Sequence, residues 1–377
     1  MKVPNHLHTS IEDLQYHLLE QLAKARGIHH LRIGKGLLIL LDSLGDKPCN
    51  YDRPQDKKDL LFHKYFLAVQ PAISAEQVNV AVEDLARDLR KKGHWIFQHI
   101  RHQEKVTVTQ KNKVFEWFNG YYDNQGRRVE GEDHGVVRMT LTGQVFAIMS
   151  GLANSDEIHK VIGSVDHFLK DKQLGGVRLN TDFQKTPYLD LGRAFGFAYG
   201  TKENGAFFSH MTVMYAYGLY KRGFSRQGYD VLQSIYKMAT DVKRSKIYPG
   251  IPEYFDAEGR GMYHYLTGSA SWLILAELTL VFGVRGQGGD LVLAPQLVKE
   301  QFDRKGQASV SCPFAGQQLT IEYNNPKKLD AGQYIISAVT IDGKPVPVED
   351  VCRSAVLIPR DQLQHSARIN VLLDQVQ

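Results

Sequence analysis

Along the first ~290 positions apolar residues recur at intervals of three and four, which places them on one face of a helix. Val78, Val82, Leu85 and Leu89 keep that spacing behind Ser74, with Gln77 at the capping-box position, and predict a helix that starts at Ser74. Met139 to Leu152 predicts a buried helix, and Asp156 to Leu169 an amphipathic one capped by Ser155. Phe207 to Tyr220 (ending at Gly223), Tyr229 to Met238, and Ser269 to Phe282 complete the helical series. The loops from Leu174 to Gly205 and from Ser245 to Tyr265 are long for a compact helical domain, a usual mark of function.

Beyond Gly286-Gln287-Gly288-Gly289 the period changes. Leu291 to Leu293, Gln318 to Tyr323, Tyr334 to Ile341 and Ala367 to Leu373 are short β-rich runs, and Asp342-Gly343 is a hairpin turn signal. The pattern predicts a mainly α fold with a C-terminal β-module. Residues 1–289 are expected to form antiparallel helical hairpins, and 290–377 a separate antiparallel β-sandwich or jelly roll. Helical hairpins followed by such a module resemble a partial (α/α)6 toroid with a C-terminal sandwich, an architecture that carries its site on the inter-helix loops.

Composition narrows the class. A chain of 377 residues suits two units. A net charge of +5 is too small an excess to argue for nucleic acid. Cys49, Cys312 and Cys352 give neither a disulfide framework nor a metal pattern, so a reducing compartment is the default. No apolar stretch follows a basic start as in a signal peptide. The longest apolar stretch, Trp272 to Val284, contains Glu277 and is too short to span a bilayer. The expectation is a cytoplasmic protein that makes no use of a membrane, of nucleic acid or of a metal.

Four segments carry candidate chemistry. Tyr265-Leu266-Thr267-Gly268-Ser269-Ala270-Ser271-Trp272 sets an N-capping Thr267 and a side-chain-free Gly268 before an apolar helix. Free backbone N–H groups and partial positive charge at such a start suit a phosphate; a plain N-capped buried helix reads the same way. Lys202-Glu203-Asn204-Gly205, with His210 shortly after, puts a cation, a carboxylate and an amide within three positions, suited to sugar hydroxyls; a lone His there also reads as a satisfied core residue. Tyr248-Pro249-Gly250-Ile251-Pro252-Glu253-Tyr254-Phe255 presents Glu253 between aromatic rings, as a sugar contact or as a solvated loop carboxylate. Trp117 to Asn124 reads as structural, with a turn at Asp123-Asn124-Gln125-Gly126.

Taken together, Phe118 to Gln301 resembles glycoside hydrolase family 94, the cellobiose-phosphorylase group. Lys202-Glu203-Asn204-Gly205 with His210 is similar to that family's Lys-Glu-Asn-Gly element. Tyr265 to Trp272 is similar to its Tyr-Thr-Gly-Ser-Ala-Gly-Trp helix start, with Leu266 inserted and Ser271 in place of a Gly. Asp290-Leu291-Val292-Leu293-Ala294-Pro295 resembles its exit into the β-module. Phe118 to Asn124 and Arg193 to Gly200 look most like the 1,2-β-oligoglucan phosphorylases, with β-1,3-glucan phosphorylases as the alternative.

The resemblance implies an inverting phosphorolysis that releases α-glucose 1-phosphate and a shortened β-glucan. It implies phosphate binding by His210, Thr267 and Gly268, and sugar contacts from Lys202 and Glu203, to which the residue reading adds Glu253. Inorganic phosphate is a co-substrate, and no other cofactor is needed. The general acid falls on Asp46, in Leu44-Gly45-Asp46-Lys47-Pro48-Cys49-Asn50, with Asp42 as runner-up. That loop departs from the family's Asp-Trp-Asn-Asp element, since Lys47 stands for the Trp and the second Asp is missing. The resemblance also implies an N-terminal sandwich and further helices ahead of this region. A second chain supplying them, or a homodimer, is therefore expected. Two other classes stay open: an inactive sugar-binding remnant, and an inverting glycosidase with Glu253 as its water-activating base.

Overall fold

The computed structural model describes residues 27–35, 38, 76–184, 188–247, 250–264, 267–347, 354–363 and 366–375. Residues 106–377 form one compact unit, and the described parts of residues 4–105 belong to another. In the second unit, strand β1 (His30–Gly34) pairs antiparallel with β2 (Gln77–Ala81), and helix α1 (Val82–Gln103) follows directly. The expected helix start is thereby corrected. Gln77-Val78-Asn79-Val80-Ala81 alternates with two β-branched residues on one side, and the strand partner decides in favour of β. The helix is N-capped by Ala81 without a side-chain bond. Ser74 lies outside the described residues.

The larger unit opens with two hairpins inside the stretch expected to be helical. β3 (Lys105–Gln110) and β4 (Lys113–Phe118) are joined by Lys111 and Asn112, both with positive φ, as a two-residue hairpin turn requires. β5 (Gly131–Asp133) pairs with β6 (Val136–Arg138). Between them the buried carboxylate of Glu130 gathers four donors: Trp117 Nε1–H at 3.0 Å, Gly120 N–H at 2.8 Å, Thr140 N–H at 2.9 Å and the Thr140 hydroxyl at 2.7 Å. Burial pushes the Glu130 carboxyl up to about 7, against the pull of those bonds.

Helices α2 (Leu141–Met149) and α3 (Ser155–Phe168) come next. The α3 cap is Asn154 rather than Ser155. Its side chain accepts from Glu157 N–H at 2.9 Å, and the Glu157 carboxylate accepts from Asn154 N–H at 2.8 Å. After the short strand β7 (Phe207–Phe208) runs α4 (Ser209–Lys221), apolar on every side, which packs against α2, α5 (Ser225–Thr240) and α6 (Gly268–Ala276). Gly228 of α5 lies where a Cβ would sit 2.5 Å from the Tyr220 ring, so that close crossing needs glycine. Strands β8 (Tyr254–Phe255) and β9 (Gly261–Met262) extend β7 into a three-stranded antiparallel sheet. α6 continues into a π turn over Glu277–Val281, where Phe282 N–H reaches the Glu277 carbonyl at 2.8 Å.

The C-terminal sheets are β10 (Val284–Gln287), β11 (Asp290–Leu293) and β16 (Val356–Ile358) in one, and β12 (Gln307–Phe314), β13 (Gln317–Asn324), β17 (Ser366–Gln375), β14 (Tyr334–Ile341) and β15 (Lys344–Val346) in the other. Two expectations are corrected here. The division at 289/290 falls inside the β10–β11 hairpin, because Gly288 and Gly289 are its turn rather than a linker. The sheets are also not wholly antiparallel, since β13 and β17 run parallel. Nor do these strands keep a core to themselves. Val213, Ala216, Tyr220, Leu232 and Ile235 of α4 and α5 share one buried apolar cluster with Leu291, Ile321, Ile358 and Val371. The Tyr323 hydroxyl donates to the Phe282 carbonyl and the Tyr334 hydroxyl to that of Leu297, which ties the strands to the end of the helical part.

Candidate functional site

The three-stranded sheet β7–β8–β9 brings together chain segments that lie far apart in sequence. Phe208 pairs with Tyr254 and Tyr254 with Met262. The row continues one residue beyond the strands. Ser209 N–H donates to the Glu253 carbonyl at 2.9 Å, and Glu253 N–H to the Tyr263 carbonyl at 3.0 Å. Ser209 is also the first residue of α4, and Thr267 caps α6. The segment Pro252-Glu253 holds both helix starts, because the Ser269 hydroxyl donates to the Pro252 carbonyl at 3.2 Å.

At this junction His210 lies directly on Gly268. A Cβ on Gly268 would stand 2.8 Å from His210 Cε1 and 3.2 Å from both ring nitrogens. His210 Nε2 is buried and has no hydrogen-bond partner, and neither has the buried Ser209 hydroxyl. Burial pulls the His210 pKa down, while the charge of Glu253 pulls it up more weakly, so the ring is neutral near pH 7. Thr267 Oγ1 accepts from Ser269 N–H at 3.2 Å and lies 2.7 Å from Ser269 Oγ. Since Ser269 donates its own proton to Pro252, Thr267 is the donor in that hydroxyl pair. Turning that proton outward would offer a donor beside the Gly268 amide at the α6 first turn. Two helix N-termini, an imidazole and a hydroxyl thus meet at one point, an arrangement that favours an anion.

The Lys202-Glu203-Asn204-Gly205 element forms a tight loop, closed by Gly200 N–H on the Asn204 carbonyl at 2.7 Å. Asn204 is buried; its Nδ2 donates to the Phe197 carbonyl at 2.7 Å and its Oδ1 accepts from Asn180 Nδ2 at 3.1 Å. Gly205 has φ +70°, and a Cβ there would lie 2.0 Å from the Tyr199 ring, so no other residue fits. Lys202 takes φ +47° and Tyr263 φ +52°, left-handed conformations that cost roughly 1–2 kcal/mol each in non-glycine residues. Lys202 Nζ stands 4.6 Å from the Tyr263 ring centre, and the Tyr263 side chain beside it holds the ammonium pKa above its ordinary value. Glu203 Oε1 accepts from Arg193 at 3.2 Å, and Glu203 Oε2 is buried without a partner.

The sequence profile of the Glycosyl hydrolase 94 superfamily, catalytic domain, matches residues 84–283. The chain belongs to this family. Among family relatives, cellobionic acid phosphorylase of Neurospora crassa is 26% identical over 172 residues, covering 42% of this chain and 22% of that protein. N,N'-diacetylchitobiose phosphorylase of Vibrio proteolyticus is 26% identical over 217 residues, 55% of this chain and 26% of that protein. A cyclic β-(1,2)-glucan synthase of Rhizobium meliloti is 25% identical over 191 residues, 48% of this chain and 7% of that protein. The chain therefore spans about a quarter or less of the length of these relatives.

The matched stretch includes Lys202, Glu203, His210, Glu253, Thr267 and Gly268; the structure joins the elements that carry His210, Glu253, Thr267 and Gly268, and Lys202 stands against Tyr263, the residue whose carbonyl Glu253 N–H bonds. Asp46 and its runner-up Asp42 lie outside the described residues, as do Tyr248, Pro249, Tyr265 and Leu266. The residue reading did not single out Tyr263 or the Arg193–Glu203 pair as parts of the site. No spacing rule marks a tyrosine held in a left-handed conformation, and an arginine ten residues from its carboxylate has no local signature. Among the described residues no group of three or more His, Cys, Asp or Glu could hold a metal ion, and no helix is long and apolar enough to cross a membrane.

Proposed function

We propose that this chain carries the phosphate and sugar contacts of an inverting β-glucan phosphorylase. The observation that carries this reading is the His210–Gly268 contact at the meeting of two helix N-termini, with Nε2 buried and unpartnered. In this reading His210, Thr267 and the Gly268 amide hold inorganic phosphate, while Lys202, Glu203 and Glu253 bind glucosyl hydroxyls. Phosphate attacks the anomeric carbon as the glycosidic bond breaks, and the general acid gives its proton to the leaving oxygen. The products are α-glucose 1-phosphate and a glucan shorter by one unit. An inverting hydrolase needs a second carboxylate to activate water; phosphate is already an anionic nucleophile and does not. Asp46 is the acid in this account, Asp42 the alternative.

The β-(1,2) linkage is the preferred substrate class. It rests on the Phe118 to Asn124 and Arg193 to Gly200 segments and on the relative that builds a cyclic β-(1,2)-glucan. Helix α6 bears on the assembly. It carries no charged residue, yet Ile274 and Leu275 remain 59% and 40% exposed. This supports further protein surface, from this polypeptide or from another chain, that covers α6.

The phosphate reading is tested by calorimetric titration of the purified chain with inorganic phosphate. The expected result is saturable binding that falls about tenfold or more in His210→Ala, the usual worth of a charge-assisted hydrogen bond. Absence of phosphate binding would return the site to a glycosidase or to a sugar-binding remnant.

A further inference from the structure

Between Glu203 and the β8–β9 strands runs a wall of alternating charge and aromatic ring. The Arg193 guanidinium bonds Glu203 Oε1 at 3.2 Å and stands 5.3 Å from the centre of the Phe197 ring. Lys202 Nζ stands 5.3 Å from that same ring and 4.6 Å from the Tyr263 ring, which lies 6.0 Å from the buried Tyr254 ring. The wall is open to a ligand, since Tyr263 is 40% exposed and the Arg193 side chain 73%. It is also built to keep its shape. Tyr263 is held in a left-handed backbone, its carbonyl is bonded by Glu253 N–H, and the Lys202 ammonium stands over its ring.

A pyranose has an apolar face of C–H groups and a rim of hydroxyls. It is matched by an aromatic ring flanked by fixed hydrogen-bonding groups. We propose that Tyr263 is a sugar-stacking residue of this site, and that Arg193 is the positioning residue that fixes the Glu203 carboxylate so that its unpartnered Oε2 faces a glucan hydroxyl. Residues 193–203 and 263 then make a contact that a chain of glucose units fills and phosphate alone does not. The inference rests on the β-glucan phosphorylase reading given above.

The test is calorimetric titration of the full chain, wild type and variants, with a β-1,2-linked glucotriose and separately with inorganic phosphate. Tyr263→Ala is expected to weaken glucotriose binding about tenfold, and Tyr263→Phe, which keeps the ring, to stay within about threefold of wild type. Arg193→Ala is expected to weaken glucotriose binding and Arg193→Lys to restore part of it. All four should bind phosphate as wild type does, which also reports that the fold at the His210–Gly268 contact is intact. Glucotriose binding by Tyr263→Ala within about twofold of wild type overturns the proposal. Loss of both ligands in Tyr263→Ala overturns it as well, since the ring would then be holding the fold. If the wild-type chain binds phosphate but no glucotriose, only this inference falls. If it binds no phosphate, the phosphorylase reading itself falls.

Discussion

Gly268 has no side chain, and the His210 ring occupies the space beside it. A methyl group there would approach the ring to 2.8 Å, so Gly268→Ala must displace His210. In helix propensity alanine is the better residue by roughly 1 kcal/mol, which offsets the local strain. The expected outcome is phosphate affinity lowered about tenfold, with a melting temperature within about 3 °C of wild type. Calorimetry and a thermal melt check this side by side. The titration of His210 gives a second expectation. Burial lowers its folded-state pKa, so the unfolded chain takes the proton first as pH falls; the stability this residue contributes is present above its ordinary pKa of 6.5 and is lost below it. A bound dianion reverses the balance by favouring imidazolium. Sulfate, which does not titrate in this range, should therefore bind near pH 6.5 with proton uptake, read from titrations in buffers of different ionisation enthalpy. His210→Gln should abolish that uptake.

At this scale the candidate residues were legible where chemistry and spacing coincide. Thr267 and Gly268 announce a helix start, and Lys202-Glu203-Asn204-Gly205 is a dense polar run before an apolar helix. Tyr263 was not legible, because its position depends on backbone angles that only the β8–β9 turn imposes. Glu130 was missed for a different reason. A lone Glu in a loop looks solvated until three separate segments fold over it.

The elements show the same division. Helices α3 and α5 follow from their apolar spacing, α2, α4 and α6 from continuous apolar runs, and the Asp342-Gly343 turn joins β14 to β15 as its dipeptide requires, with φ +49° and +80°. Strands β2 and β7 lie within stretches whose spacing predicts helix; Gln77–Ala81 and Phe207–Phe208 are too short for a period to speak, and each takes its form from a partner strand. The β3–β4 hairpin hid in the same way. Glu130 links β4, the loop after it and the start of α2, so its replacement tests how those elements hold together. Glu130→Gln sets an amide N–H₂ against backbone and indole donors and should cost on the order of 3 kcal/mol. A urea unfolding midpoint measures the loss, and a change under about 0.5 kcal/mol would show that the network contributes little.

For the whole molecule, the family match covers the helical part, while the chain spans less than a third of the relatives it matches. Open apolar surface on α6 favours association, so the purified chain alone is expected to release little α-glucose 1-phosphate from β-1,2-glucotriose and phosphate. Robust phosphate-dependent turnover by a monomer would contradict this. In a competent assembly, Asp46→Asn should abolish phosphorolysis of ordinary glucosides yet spare phosphate binding. Partial activity should remain on substrates with an activated leaving group. Normal activity in Asp46→Asn, with loss in Asp42→Asn, would move the acid to Asp42.

The central claim is a location: an oxyanion belongs beside the His210–Gly268 contact, at the first turn of α6. Arsenate is a phosphate mimic whose anomalous scattering marks it directly, so diffraction from crystals of the chain soaked in arsenate reads the position without relying on activity. The account predicts an anomalous peak within hydrogen-bond distance of His210 Nε2, Thr267 Oγ1 and the Gly268 amide, absent in His210→Ala. A peak elsewhere, with His210 still packed against an empty Gly268, would contradict it.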